Sequence, residues 1–383
     1  MKTTSVIELS QKALQNNIDF LKDYFNGEVR FSSVVKGNAY GHGIEEYVPM
    51  AEICGVDHFS VFSADEAYRV FKCKSANTDI MIMGWVDDED LEWAISNRVA
   101  FYVFEMDRLN AALNIARKLQ VPAKLHVEVE TGMNRTGFKQ KTLPEVAATL
   151  KKNQDYLIFQ GLCTHFAGAE SIANHVRVNR QFSKFKKIYN WFLKNDLKPR
   201  MKHSASSAAA MTYPRTRMDL VRIGILQYGF WPSMETYIHF ISKRVEKMDP
   251  LRRVISWKSK VMTIKDVNQG EFVSYGTTYL ASENKTIAVI PVGYAHGFSR
   301  SLSNSGTVLI HGQRVSVIGM VNMNMLITDI SFLPDVQVGD EVVLIGKQGN
   351  HTISVSSFTQ MSDQLNYELL TRLPSNTTRI VTS

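Results

Sequence analysis

The chain is sparing with cysteine, with long apolar runs and with blocks of like charge, and each shortage narrows what it can be. Its three cysteines, Cys54, Cys73 and Cys163, are odd in number, widely spaced and without a CxxC pair. That argues against a disulfide framework and a zinc ribbon, so reduced thiols and no bound metal are expected. No segment comes near the roughly 20 apolar residues that span a bilayer, and the opening MKTTSVIELSQ holds no signal-peptide core. A cytoplasmic address with no membrane partner follows as the expectation. Lysine and arginine outnumber aspartate and glutamate by 44 to 37, a formal charge of +7. Yet no run of about five like charges and no basic stripe interleaved with aromatics occurs, so nucleic acid is not an expected partner. A surplus this small suits anionic small molecules instead. Low-complexity linkers and repeats of solenoid period are missing too. What remains is an ordinary globular composition, 44% hydrophobic and 21% charged over 383 residues. That is enough for one large domain and a smaller one, or two medium ones.

Periodicity divides the chain in two. Residues 4–9 predict a short strand, and Ser10 can cap a helix with Leu14, Ile18, Leu21 and Phe25 on one face. Strand-like runs then recur at 32–36, 58–62, 79–83, 99–104, 123–129, 157–163, 200–204 and 219–223. Segments of helical period separate most of them. Ser63-Ala64-Asp65-Glu66 predicts a capping box before one, and 174–195 is the longest. Eight strands alternating with helices predict an α/β fold, a (β/α)8 TIM-like barrel. Beyond Tyr228-Gly229 the texture changes to β-rich runs parted by glycine, asparagine and aspartate, with one late helical stretch near 355–365. A barrel domain over 10–229 and a mainly β C-terminal domain over 230–383 are expected, with 230–253 as the connection and 1–9 free to join the second domain.

In a barrel the reactive groups come from strand C-terminal ends, with phosphate often held after strands seven and eight. The first such end is FSSVVKGNAYGHG (31–43), where Val34-Val35 delivers Lys36 into a loop with three glycines in seven residues. Those glycines permit tight turns and close backbone approach. By itself, a lysine there is either a solvated surface charge or an active-site amine. The fifth strand runs into Glu128 and 131–135, and the sixth into Thr164-His165-Phe166. The last two run into 203–207 and Arg222-Ile223-Gly224-Ile225. Polar groups thus converge on one rim, and its serine hydroxyls and backbone N–H groups can receive a phosphate dianion.

The lysine loop, with HVEVETGMNRTGF (126–138), GLCTHFA (161–167), HSASSAA (203–209), MDLVRIGILQYG (218–229), VSYG (273–276), PVGYAHGFSR (291–300) and LNYE (365–368), resembles the alanine racemase family block by block and in the family's order. The resemblance covers nearly the whole chain. It implies a pyridoxal 5'-phosphate-dependent amino-acid racemase, with alanine as substrate and D-alanine for peptidoglycan as product. It implies that Lys36 carries the cofactor covalently and is one acid/base group. Tyr275, reaching across from the partner of a homodimer with shared active sites, would be the other. Racemisation needs bases on opposite faces of the substrate, one to remove the α-proton and one to return it. A tyrosine in a β run is otherwise a packed core ring, and a free phenol titrates near ~10, so a basic role requires neighbouring cations. The resemblance places Arg222 at the cofactor's ring nitrogen, with His165 and His203 in its hydrogen-bond network. Tyr40, Ser207, Gly224, Ile225 and Tyr367 match phosphate-binding positions. Arg135 matches the residue that steers the substrate carboxylate, Met323 one that offers a backbone N–H from the partner. Tyr294 and Tyr367 match the inner entrance.

Several positions depart from the family. Glu128 stands where many members have a lysine that carries a carbamate; an encoded carboxylate predicts a direct Glu128–Arg135 pair. Ser206 stands where asparagine is common. Asn322-Met323-Asn324-Met325 replaces the usual CMDQ, His296 replaces the aspartate of GYADG, and TRLPSNTTRIV lacks the common RVPR pattern. These changes are expected around the substrate entrance. They leave a racemase of broader or other specificity, for serine or lysine, as the alternative reading. A non-catalytic pyridoxal-phosphate-binding protein of the single-barrel kind would lack the β domain with Tyr275 and Met323.

Overall fold

Short, fully buried runs such as His58–Val61 and Ala100–Val103 can only be strands covered on both faces, as in a barrel walled by helices. The computed structural model describes residues 3–27, 29–355 and 366–383, with Asn366 and Tyr367 described in their backbone alone. The helical stretch expected near 355–365 lies, from 356 on, outside the described residues. Strand β1 is Ser5–Ser10. The barrel strands are β2 (Arg30–Val34), β3 (His58–Val61), β4 (Asp79–Ile82), β5 (Ala100–Val103), β6 (Ala123–Glu128), β7 (Leu157–Cys163), β8 (Met201–His203) and β9 (Leu220–Ile223). They pair in parallel in the order β8-β7-β6-β5-β4-β3-β2-β9. Asp219 N donates to Lys202 O at 3.1 Å and Arg222 N to Ala205 O at 3.0 Å, which closes the ring between its two ends. The eight-stranded barrel read from the sequence is the fold of this half.

The helices follow the predicted faces. His175–Lys194 buries Val178, Gln181, Phe182, Phe185, Ile188 and Phe192 along one stripe. The capping box expected at Ser63 forms differently. Ser63 gives its hydroxyl proton to Asp65, a charged acceptor two residues on, and Glu66 reaches back to Phe62 N at 2.9 Å.

The remaining strands are β10 (Ile255–Lys260), β11 (Thr263–Val267), β12 (Lys285–Ile290), β13 (Thr307–Ile310), β14 (Gln313–Ser316), β15 (Leu326–Asp329), β16 (Glu341–Gln348), β17 (His351–Ile353) and β18 (Thr378–Thr382). One sheet runs β14-β13-β16-β10-β1-β18, with β17 on β16, and a second runs β11-β12-β15. Strand β1 is an interior strand here, antiparallel to β10 and parallel to β18, so that Ile7 lies opposite both Trp257 and Arg379. Alternate burial along β1 and β10 puts Ile7, Leu9 and Trp257 in the core.

The chain divides into two compact units. One comprises Met1–Lys12, Gly37–Tyr47 and Arg253–Ser383, the other Ala13–Lys36 and Val48–Arg252. Gly37–Tyr47, inside the stretch assigned to the barrel from sequence, groups with the β unit, while 230–252 groups with the barrel. The reason is local: backbone groups after the lysine bond residues near the C-terminus, as described below.

Candidate active site

Val35 N still bonds Ser60 O, at 2.9 Å, so Lys36 is the first residue beyond the barrel's ladder. The strand end is pinned: Gln227 Nε2 and the Tyr228 hydroxyl both donate to Val34 O, at 3.1 and 2.9 Å. Ser33 Oγ donates to Gln227 Oε1 at 2.8 Å. Lys36 reaches solvent. Even so, the protein packed around its ammonium and then the Arg135 charge lower its pKa, against the opposite pull of Glu66 and with a further push from Arg222. A lowered pKa means more free amine near neutrality, the form that attacks an aldehyde and accepts a proton.

The next four residues, Gly37 to Tyr40, all have φ between 51° and 62°. A left-handed turn costs an L-residue about 1–2 kcal/mol, and Asn38, Ala39 and Tyr40 each incur it. Compensating bonds hold the turn. Gly41 N reaches Gly37 O at 2.9 Å and Gly43 N reaches Asn38 O at 2.9 Å. Asn38 Oδ1 accepts from Ile44 N at 3.2 Å, and His42 Nδ1 donates to the carbonyls of Ala39 and Tyr40, each at 3.0 Å. Tyr40, matched to the phosphate by resemblance, closes this turn half-buried.

Inside the barrel, Arg222 is braced by carbonyls: Nη2 donates to Thr164 O at 2.9 Å and Ser204 O at 3.1 Å, and Nη1 to His203 O at 3.3 Å. Nη1 also donates to His203 Nδ1, and Nη2 faces His165 Nδ1 at 3.5 Å. Arginine cannot accept, so both Nδ1 atoms present lone pairs. His203 therefore carries its proton on Nε2 and donates it to His126 Nδ1, 2.8 Å away. Burial first, and then the Arg222 charge, hold His165 to about 3 and His203 well below its ordinary value. His126 falls to about 3 from burial and then His58. All three imidazoles are neutral, and the one permanent charge of this chain sits at its outer end.

Beyond β6 the loop carrying Arg135 is folded around Glu130, whose carboxylate accepts from Gly132 N and, at 2.7 Å, from Asn134 N. Thr131 Oγ1 bonds Thr164 Oγ1 at 2.8 Å, and Thr164 donates to Val129 O at 2.9 Å. Glu128, Glu130, Met133, Arg135, Thr136 and His165 line one small cleft. The pair expected between Glu128 and Arg135 takes another form. Glu128 is buried and Arg135 exposed; the neighbouring Thr136 hydroxyl and the charges of Arg222 and Arg135 all favour its ionised form. Burial outweighs all three and raises its pKa. The guanidinium keeps its hydration while the carboxylate stays under the loop.

Of the phosphate candidates on the barrel, Gly224 N donates to Ser207 Oγ at 3.0 Å, leaving the Ser207 hydroxyl proton free to donate outward. Ile225 is buried and opens the turn Ile225–Tyr228. Ser206 precedes the helix Ser207–Thr212 with extended backbone. Among the described residues no cluster of His, Cys, Asp or Glu could hold a metal, and no helix is long and apolar enough to cross a membrane.

The β unit brings three more candidates together. Ser274, beside Tyr275, donates to Met320 O at 2.8 Å and Asn322 Oδ1 at 3.2 Å. Tyr294 N bonds Asn322 O at 3.1 Å and Ala295 N bonds Met323 O at 3.0 Å. This seam is tight: a Cβ at Gly293 would lie 2.1 Å from Asn322 O. His296 accepts from Gly293 N through Nδ1 at 3.2 Å, so the histidine that replaces an aspartate still caps the Tyr294 turn. Tyr275 is 73% exposed, Met323 56% and Tyr294 44%, an uncovered cluster of large side chains. Tyr367 lies on the helix Asn366–Thr371; its side chain is outside those described.

The family model "Alanine racemase, N-terminal domain" matches residues 9–232, and "Alanine racemase, C-terminal domain" matches residues 254–381. The chain belongs to the alanine racemase family. An alanine racemase of Leptospira interrogans is 32% identical over 389 residues, covering 100% of this chain and 97% of the relative. One of Methanococcus maripaludis is 34% identical over 380 residues, 97% of each. The solved alanine racemase of Bacillus anthracis with bound L-Ala-P matches with a TM-score of 0.90 at 30% identity, covering 100% of this chain and 96% of that one. That of the D-cycloserine producer Streptomyces lavendulae also gives 0.90, at 25% identity and 100% and 98% coverage.

Alanine racemases use pyridoxal 5'-phosphate, and this donor set suits it: a lysine of lowered pKa, the Ser207–Gly224 pair, and an arginine locked by carbonyls. Two further residues brace these groups. His126 extends the Arg222 chain inward. Gln181, buried on the long helix, ties two loops of the racemase rim. Its Oε1 accepts from Ala167 N at 2.9 Å, and its Nε2 donates to His165 O at 3.1 Å and Thr131 Oγ1 at 3.3 Å. The available signal was a glutamine on an otherwise apolar helical stripe.

Proposed function

We propose that the chain interconverts L-alanine and D-alanine with pyridoxal 5'-phosphate as resident cofactor, in the cytoplasm, and supplies D-alanine to peptidoglycan. In this reading the 10–229 barrel holds the cofactor, and the 230–383 domain, with 1–9, offers Tyr275 to the second subunit of a homodimer. The observation that carries the reading is Lys36, a lysine of lowered pKa at the end of the first barrel strand, on the rim that Arg135 and Arg222 share.

Lys36 would hold the cofactor covalently, Ser207, Gly224, Ile225, Tyr40 and Tyr367 its phosphate, and Arg222 its ring nitrogen. When bound, the cofactor withdraws electrons from the substrate α-carbon and so acidifies the α-proton. Arg222 donates a hydrogen bond without giving up its proton, which keeps its acceptor uncharged and favours return of the proton to the α-carbon. Arg135, exposed at the cleft, holds the substrate carboxylate, with a Met323 N–H from the partner. Lys36 as free amine takes or gives a proton on one face, and Tyr275 does the same on the other.

Tyr275 is 73% exposed, so its ring is accessible to a second copy, which supports its use there. The test is a chiral assay of the purified protein with L-alanine, L-serine and L-lysine. Formation of the D-enantiomer from alanine at a kcat/KM well above the other two is expected; preference for serine or lysine would overturn the alanine assignment. In Tyr275→Phe, exchange of the α-proton with solvent deuterium should fail for one enantiomer only. Two-way racemisation retained in that variant would remove Tyr275 from the mechanism.

A further inference from the structure

The C-terminal strand carries a buried arginine for which the two-base reaction has no use. Arg379, on β18, is 8% exposed and spreads its guanidinium over four backbone carbonyls. Nε and Nη2 donate to Gly41 O at 3.1 and 2.9 Å. Nη1 donates to Ser375 O at 3.0 Å and Thr377 O at 2.8 Å, and Nη2 to Pro374 O at 3.1 Å. One fork thus ties the loop after Lys36 to the turn before β18. A planar fork with five N–H donors does this in a fixed geometry, which an ammonium does not match.

The loop is cut to fit the clamp. A Cβ at Gly41 (φ +81°) would fall 1.9 Å from Leu370 O. One at Gly43 (φ +94°) would fall 2.4 Å from Arg379 Cδ, and one at Gly37 3.0 Å from Thr371 Cγ2. All three glycines of GNAYGHG therefore face the 370–379 segment. Between Gly37 and Gly41 lies the left-handed turn, a conformation that L-residues do not hold unaided. The TRLPSNTTRIV departure, expected at the substrate entrance, sits against the lysine loop as well as against Gly297 of GYAHG.

We propose that Arg379 is a positioning residue that holds the left-handed turn 37–40 and thereby fixes the directions in which Lys36 and Tyr40 leave the backbone. The proposal rests on the reading of Lys36 as the cofactor lysine. Arg379→Met and Arg379→Lys are compared with the wild type, first as apoprotein by amide hydrogen exchange. Expected is exchange about tenfold faster at Gly41, His42 and Gly43, with barrel amides unchanged, because a charge-assisted bond has been lost locally. Pyridoxal 5'-phosphate should then dissociate about tenfold more readily and kcat should fall, while KM for alanine, set in the barrel by Arg135, stays within about twofold. Arg379→Lys, or added guanidinium ion with Arg379→Met, should restore part of the loss. Unchanged loop exchange overturns the proposal. So does acceleration spread evenly over both units, which would make Arg379 a fold-stabilising residue only. Should Arg379→Met fail to fold, Gly41→Ala pushes the same loop off Leu370 from the other side and must give the same local pattern. The exchange arm needs no cofactor. Failure to bind pyridoxal 5'-phosphate at all would therefore count against the functional reading and leave the clamp decided separately.

Discussion

Gly161→Ala should disable the imidazole chain behind Arg222 with a single methyl group. Gly161 lies on β7 where the pairing with β6 shifts register between Leu125 and His126. A Cβ there would sit 2.1 Å from His126 Nδ1, 2.7 Å from Cε1 and 3.0 Å from Cγ. Van der Waals contact begins near about 3.5 Å, so the ring would have to retreat by more than about 1 Å. It has nowhere to go: His126 is 1% exposed, stacked 6.1 Å from Tyr102 and bonded at 2.8 Å to His203 Nε2. Overpacking of this kind costs about 1–3 kcal/mol, and an imidazole nitrogen left unpaired in the interior about 1–3 more. The expected loss is about 2–6 kcal/mol in urea unfolding followed by circular dichroism. The decisive measurement is a double-mutant cycle. In a His126→Ala background the methyl meets no ring, and the cost of Gly161→Ala should fall below about 0.5 kcal/mol. Equal penalties in the two backgrounds would refute the argument, since the methyl would then be opposed by something other than His126.

Acid should destabilise the protein through three buried histidines. His42, His58 and His126 are each held to about 3 by burial, against ~6.5 in the unfolded chain. Their contribution is complete above ~6.5 and is lost as the pH falls toward about 3, because only the unfolded chain takes up the protons in that window. The slope reaches about 1.4 kcal/mol per pH unit per histidine, and a urea midpoint that stays flat between about pH 7 and about pH 5 would contradict it. Glu128→Gln keeps the shape while removing a charge that Arg222 and Arg135 both face. A loss of about 0.5–1 kcal/mol of charge attraction on the exposed Arg135 should appear as a two- to fivefold rise in KM for alanine. Wild-type kinetics would sink that assignment.

The barrel strands were legible because each is a short apolar run between helices of clear period, and a strand buried on both faces leaves no other pattern. Lys36, Arg222 and Ser207 stood out as candidates through the family blocks around them. What escaped depends on contacts that no local pattern encodes. His126 read as one polar residue in a strand, and nothing in HVEVE says that Gly161 makes room for its ring. Ser63 and Glu66 carried the spacing of a capping box, but Asp65 competed for the hydroxyl. Glu128 and Arg135 are near in sequence and share a cleft, yet the carboxylate is buried and the guanidinium exposed. Arg379 looked like a residue in a divergent tail, and its partner Gly41 lies 338 positions away.

That separation also sets an order of events during synthesis. Gly41 leaves the ribosome 338 residues ahead of Arg379. At about 5–20 residues per second, 338 residues take roughly 17–70 s. Throughout that interval the barrel's strands can begin to pair, whereas the turn beside Lys36 has only its own local bonds and no Arg379 fork. With the clamp proposed above, a chain cut short before Arg379 would carry the lysine on an unclamped turn and release pyridoxal phosphate more readily.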